Sequence, residues 1–482
     1  MEKSIIRKIP LRIQEDDMKR ICRTLVLVLL MAATVAAAED DPIPSADLSG
    51  VEVLDLQTAQ RIALAGNPDL AAAMSRIEQA RARVNQAVAA WWPALDLGGK
   101  YSRIRRSDIA YDLIKKYPSS PGISSERTYD EGALSVRVTW LLFDGFYRSF
   151  KQQQAEFNQK TLAAAHRDSQ RLLINAVAEA FLNAQLSQTN VDIAAADEKF
   201  YLSQLRDAQN RYEVGVGPWG DVLNIKVQLN SAKTSLLLNQ RQFEAAGYGL
   251  AALMGIPEAA FPKGVRLAGL DKDFKMDEAV NDPEALIQEA LDRRPDIRQL
   301  EMRKKEAEAG TGQAKAPFYP KVELSGAVEG NRQGDVHLTG DDIGNTIAMS
   351  VSWNLFSGGA DKARLFEARQ KDREVAYSLA SLRNSVAAEV RQDLALLAAA
   401  EEQVRLQRDS VELVKENREL AKNEYEAGEA SLVRLNEAQR DLTTTYSRLA
   451  QALVGYHKAR QKLLAATGSN LQSFIPEKEL NP

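Results

Sequence analysis

The sequence predicts an α+β membrane protein built from a duplicated helix–hairpin–helix unit. Three observations predict it: a repeat spanning most of the chain, two long stretches free of Gly and Pro, and paired segments of alternating polarity bracketed by aromatics. Pro68 and Pro295 lie 227 positions apart, as do Pro93 and Pro320. Trp140 and Trp353 lie 213 apart, as do Phe143 and Phe356, Gly145 and Gly358, Tyr212 and Tyr425, and Gly215 and Gly428. The offset changes once, between Pro93 and Trp140, where the first copy carries 14 more residues. The sequence therefore divides into a first repeat over 51–255, a linker over 256–283, a second repeat over 284–468 and a tail over 469–482.

The bulk composition narrows the function. Cys22 is the only cysteine of 482 residues, so no disulfide framework, thiol nucleophile or Cys-based metal site is expected. Net charge is −4, and −7 once residues 1–38 are set aside, which gives nucleic-acid binding no support. Lys19-Arg20, the apolar run Thr24–Ala38 and the small residues Ala36-Ala37-Ala38 read as a secretory signal over 1–38. A membrane anchor is the competing reading, and Met18 makes residues 1–17 a candidate over-extended start. His166, His337 and His457 stand in polar stretches without metal-ligand spacing. Asp341-Asp342 after Gly340 reads as a solvated turn rather than a calcium loop. No metal, cofactor or catalytic constellation is expected.

Each copy begins with a helix, after Pro68 or Pro295, that ends before Trp91 or Pro317. Two segments of period-2 alternation follow, over about 94–143 and 321–356. Leu95, Leu97 and Tyr101 alternate with Asp96, Gly98 and Lys100; Ile347, Met349, Val351, Trp353 and Leu355 alternate with small or polar residues. Strands of about ten residues with one apolar face are the pattern of an outer-membrane barrel. Trp91, Trp92, Trp140, Phe143, Phe318, Tyr319, Trp353 and Phe356 stand at the strand ends as an interfacial girdle facing outer-membrane lipid. The connections 104–131 and 330–345 read as exposed polar loops.

The Gly- and Pro-free runs come next: Phe146–Val214 (69 residues) and Asp361–Ala427 (67 residues). As helices each would be about 100 Å long. Val390, Leu397, Val404 and Val411 recur every seven residues as a coiled-coil seam, while the other faces are polar. Such helices suit a thin-walled tube. Gly-centred breaks stop both runs, and return helices over 219–254 and 431–466 follow. The return helices are half as long. Stacking them end to end with the helices after Pro68 and Pro295 restores the height. Two hairpins supply four strands, too few to close a barrel, so a membrane wall requires several chains.

The ordered motifs, present twice, resemble the TolC-like outer-membrane efflux proteins. They are Asn67-Pro68-Asp69-Leu70, Trp92-Pro93, Trp140-Leu141-Leu142-Phe143-Asp144-Gly145 and Tyr212-Glu213-Val214-Gly215. The resemblance spans about Val51 to Gly468. It implies a homotrimer forming a 12-stranded β-barrel continuous with a 12-helix periplasmic α-barrel, in the bacterial outer membrane. It implies a periplasmic adaptor and an inner-membrane transporter as partners, and passive export without catalysis. It implies adaptor-docking tips at Val214, Gly215, Val216, Ala427, Gly428 and Glu429. It also implies a pore gate involving Asp221, Tyr425, Arg434 and Glu437. Arg434 and Ala430 depart from the family pattern, which alters the gate. Arg434 could pair with Glu437 at i,i+3, and three Glu437 side chains near one axis would repel. Equally, Asp221 could simply complement a helix N-terminus. The alternative from another class is a soluble periplasmic coiled-coil scaffold. A polar lumen carries no code for its cargo.

Overall fold

The computed structural model describes residues 48, 50–117, 124–262, 264–271, 274, 282–334 and 338–474. The expected secretory signal and His337 lie outside the described residues, as does the tail beyond 474. In the first copy, strand β1 (Val53–Leu54) leads into α1 (Leu56–Gly66) and α2 (Pro68–Ala89). The hairpin pairs β2 (Ala94–Arg105) with β3 (Thr128–Phe143), and their connection carries helix α3 (Asp108–Lys116). The long helix α4 (Tyr147–Glu213) and return helix α5 (Trp219–Leu253) complete the copy. After β4 (Arg266–Leu267), the second copy repeats the order. It comprises α6 (Pro283–Arg293), α7 (Pro295–Gln313), β5 (Lys321–Gln333), β6 (Ile343–Ser352), α8 (Ala360–Glu426) and α9 (Leu432–Thr467).

The sheet order is β2-β3-β5-β6, antiparallel throughout. Its register puts the apolar residues on one face: Leu95 opposite Val138, Leu97 opposite Val136, Val136 opposite Val328, Gly326 opposite Ile347 and Leu324 opposite Met349. The other face carries Asp96 opposite Arg137, Ser135 opposite Glu329 and Glu323 opposite Ser350. The apolar face is bare: Ile347 is 85% and Met349 69% exposed. Among the described residues, β2 and β6 each leave one edge without a partner strand.

Three expectations are corrected here. β2, β3 and β5 run 12, 16 and 13 residues rather than about ten, because the hairpin pairing continues past the apolar stretch into charged rows. β6 stops at Ser352, so Trp353 and Leu355 leave the alternating strand and Phe356 lies beyond it. There Asn354 folds its side chain back to accept from the Phe356 N–H. The connection over 104–131 is not simply a loop. Ser107 caps α3 by accepting from the Ala110 N–H, and the amphipathic period of the segment then favours a helix.

The helical part has no single core. Four small clusters are strung along it, as a one-layer wall requires. The seven-residue seam is buried, with Val390 and Val404 fully so, against Leu449 and Leu453 of α9 and neighbouring residues. The return helices do stack end to end on the short ones. Asn67 caps α2 by accepting from the Asp69 and Leu70 N–H groups, and its amide donates to the Leu253 carbonyl that closes α5. Gly255 at φ +74° fits this junction because a Cβ there would lie 2.2 Å from the Gly66 oxygen. In the second copy Arg294 takes the place of Asn67 and donates to the Ala466 carbonyl near the end of α9. The linker is not featureless: β4 pairs in parallel with β1, tying it to the start of the first copy.

Candidate functional site

The two ends of the molecule carry the candidate sites. At the helical end, both Gly-centred turns close in the same way. The Val216 and Gly217 N–H groups donate to the Arg211 carbonyl, as the Glu429 and Ala430 N–H groups do to Glu424. Gly215 and Gly428 sit at φ +77° and +81°, the left-handed conformation that ends a helix sharply. Val214 and Val216 project 72% and 79% exposed, a pair of bare apolar residues at the apex. Ala427 and Glu429 occupy the same places in the second turn and are also exposed.

The expected gate residues are only partly brought together. Tyr425 packs against the cluster of Tyr201, Val222 and Ile225, with the Arg211 guanidinium 5.1 Å from its ring centre. Burial raises the Tyr425 phenol pKa above its ordinary value, and the negative charge of Asp221 raises it further. Asp221 is thus an electrostatic neighbour of Tyr425, without a direct hydrogen bond among the described residues. Its backbone N–H donates to the Pro218 carbonyl at 3.2 Å. The Arg434–Glu437 pair does not form. Arg434 reaches across the turn instead and donates to Glu424 at 3.0 Å. The reason is geometric: Ser431 caps α9 and accepts from the Arg434 N–H, which sets the first turn beside the end of α8. Glu437 is exposed and has no ion-pair partner among the described residues.

At the sheet end, the aromatics divide. Trp92, Trp353 and Phe356 stand free, while Phe318 and Tyr319 are closer to half covered. Phe143, Phe146 and Tyr319 meet edge to face at 5.4 and 6.0 Å. Trp140 donates to the Trp91 carbonyl and Trp91 to Gln152 of α4, both at 3.0 Å. These two tryptophans therefore also bolt the sheet to the helices. Sequence reading missed the group beneath them. Asp144 and Arg148 form a buried pair at 2.9 Å, and Arg148 also donates to the Ala90 and Leu142 carbonyls under the Trp91 ring. The i,i+4 spacing was the available signal. The second copy has Ser357 and Asp361 at these places, with Arg364 pairing Asp361 at 3.0 Å.

A second missed group joins the copies. Arg171 of α4 donates to the Ala465 carbonyl and pairs with Asp168; Arg294 pairs with Asp296 and Glu389. Asn470 donates back to the Arg171 carbonyl. His457 likewise departs from the polar surroundings its sequence suggests: it packs 4.5 Å from Phe274 beside Tyr456, and burial lowers its pKa. Asp342, in the turn after Gly340, accepts from Thr339 and Arg332. No cluster of His, Cys, Asp and Glu among the described residues is fit to hold a metal.

A bare apolar sheet face fused to paired helical columns defines a wall segment of a membrane barrel and tunnel. The sequence matches the family described as outer membrane efflux protein over residues 60–256 and 286–469, and the chain belongs to that family. It is 28% identical over 405 residues to the probable efflux pump outer membrane protein TtgC of Pseudomonas putida, covering 83% of this chain and 79% of that protein. It is 24% identical over 412 residues to nodulation protein T of Rhizobium leguminosarum bv. trifolii, covering 84% and 83%. Its fold matches the Campylobacter jejuni CmeC outer membrane channel with a TM-score of 0.73 at 16% identity, over 88% of this chain and 89% of that one.

Proposed function

We propose that this chain is the outer-membrane channel of a tripartite export system, giving substrates passive passage to the outside. The carrying observation is the four-stranded sheet with a bare apolar face and two open edges. A soluble scaffold would bury that face; here lipid covers it, and the open edges demand neighbouring copies because unpaired strand edges in lipid cost several kcal/mol per group. Two chains would give eight strands, whose interior fills with side chains. Three chains give the smallest closed barrel wider than that, so we assign a homotrimer with 12 strands and 12 helical columns. Apolar rows left bare on the helices support it: Leu406, Leu413 and Leu420 on α8, and Leu223, Val227 and Leu237 on α5, wait for a neighbour's helix.

The tips at Val214–Val216 and Ala427–Glu429 are the proposed docking points for a periplasmic adaptor, which links the channel to an inner-membrane transporter. The apolar apex of Val214 and Val216 fits an apolar helix hairpin. Nothing in the assembly calls for catalysis by this chain. The gate is proposed to comprise Asp221 beside Tyr425, the Arg434–Glu424 link and an acidic ring of Glu437. Single-channel conductance in planar bilayers tests it. Glu437→Gln is expected to weaken block by cations, and Asp221→Ala to raise the open fraction. Unchanged conductance in both variants would remove the gate assignment and leave the channel intact.

A further inference from the structure

The outward face of β2 changes character along its length. It runs Leu95, Leu97, Gly99, Tyr101, Arg103, Arg105, one residue in two. Apolar side chains give way to an aromatic and then to two arginines, both exposed. Arg103 lies opposite Asp130 at 3.6 Å, whereas Arg105 lies opposite Thr128 and has no acidic partner among the described residues. Helix α3 follows at once. It buries no residue at all. Ile109, Leu113 and Tyr117 form one stripe at i, i+4 and i+8, exposed by 77%, 54% and 67%. Lys115 lies on its opposite arc, 5.2 Å from the Tyr111 ring centre, and Lys116 borders the stripe beside Ile109. Asp108 is taken up by Arg127. Of Arg103, Arg105, Lys115 and Lys116, only Arg103 has an ion-pair partner among the described residues, Asp130. The second copy has no counterpart: its connection is 14 residues shorter, and Arg332 at that rim is held by Asp342 and Thr339. The four strands pair without any contribution from α3, so the insert serves something other than the sheet.

We propose that Arg103 and Arg105 together with α3 form a docking surface for the phosphate-bearing lipid headgroups of the outer leaflet. The proposal rests on the barrel reading above. Two observations choose this occupant. The cationic row continues the apolar band that meets the acyl chains, which sets the arginines at headgroup height. The helix also sets an apolar stripe beside basic residues, the arrangement of helices that lie in a membrane interface. Basic clusters flanking a membrane segment attract anionic headgroups.

The test uses the full purified chain in mild detergent, titrated with bisphosphorylated lipid A in mixed micelles, with bound lipid counted by native mass spectrometry. The triple variant Arg105→Glu, Lys115→Glu, Lys116→Glu is expected to bind at least ~10-fold more weakly. Rising salt is expected to weaken wild-type binding, and dephosphorylated lipid to bind poorly. The variant Ile109→Asp, Leu113→Asp is expected to lose binding with conductance unchanged. Equal binding by the triple variant, or insensitivity to salt, overturns the proposal. Raised conductance with intact lipid binding in the Ile109, Leu113 variant would put α3 in the channel mouth and also overturn it. Wild-type conductance in phosphatidylcholine bilayers is the separate check: its absence sinks the channel reading, whereas its presence without lipid A preference sinks the docking surface alone.

Discussion

Arg294 shows how much one side chain can organise. It is 5% exposed and holds Asp296, Glu389 and the last turn of α9 at once. Replacing it with Met leaves Asp296 with only the more distant Arg171 and the Ile297 N–H, and frees the Ala466 carbonyl. Thermal unfolding of the detergent-solubilised protein is expected to show a loss of about 3 kcal/mol, the low end for breaking a buried pair because Glu389 can rehydrate. Arg434→Ala removes a half-exposed pair and is expected to cost under about 1 kcal/mol. The same cluster sets acid sensitivity. Burial alone would raise the Asp296 pKa, but the Arg294 bonds outweigh it and the net shift is downward. Its contribution is therefore present above the ordinary carboxylate pKa and is lost as pH falls through the depressed one. Asp168 goes the other way, raised chiefly by burial despite Arg171, so its penalty is relieved as pH falls. Without Arg294 the Asp296 advantage shrinks to what Arg171 and the Ile297 N–H supply, and the acid-unfolding midpoint of the Met variant is expected to move to higher pH. An unmoved midpoint would show that Arg294 does not depress Asp296.

At the scale of elements, the two kinds of glycine break can be told apart by experiment. Gly255 joins α5 to the α1–α2 junction, with a positive φ and a backbone oxygen where a Cβ would go. Gly215 has a positive φ but open space around it. Gly255→Ala is expected to destabilise by about 3 kcal/mol, from left-handed strain plus displaced backbone. Gly215→Ala carries the strain alone, about 1–2 kcal/mol. Equal losses in calorimetry would mean that the end-to-end stacking of helices is unimportant. Phe146, at φ +69° where β3 turns into α4, keeps its left-handed conformation through edge contacts to Phe143 and Tyr319.

For the whole molecule, a single chain leaves two strand edges open among the described residues, so the barrel proposed above needs neighbouring copies to pair them. Met349 and Ser350 are neighbours on β6 that face opposite ways, Met349 opposite Leu324 and Ser350 opposite Glu323. Met349→Arg puts a charge in lipid, at about 2–4 kcal/mol near the midplane. Gel separation of membrane extracts is expected to show the oligomer lost in Met349→Arg and kept in Ser350→Arg. Loss in both, or in neither, would contradict the assignment of the two faces.

The sequence by itself determined the repeat, the four long and return helices to within a residue or two, the strand alternation and the tip turns. Each is a local matter: helix runs end where Gly breaks them, and period-2 alternation names a two-faced strand. It also carried the family, because ordered motifs repeat twice. Only the tertiary structure decided who pairs with whom. Arg434 looked like a partner for Glu437 three residues on, yet the turn brings Glu424 from ten residues back into reach. Arg171 and Ala465 lie 294 residues apart in sequence, and Asn67 and Leu253 lie 186 apart. Such contacts leave no periodic trace, since what fixes them is the packing of chain ends and turns, within a repeat for Asn67 and Leu253 and between the repeats for Arg171 and Ala465, rather than any property of the segments that supply them.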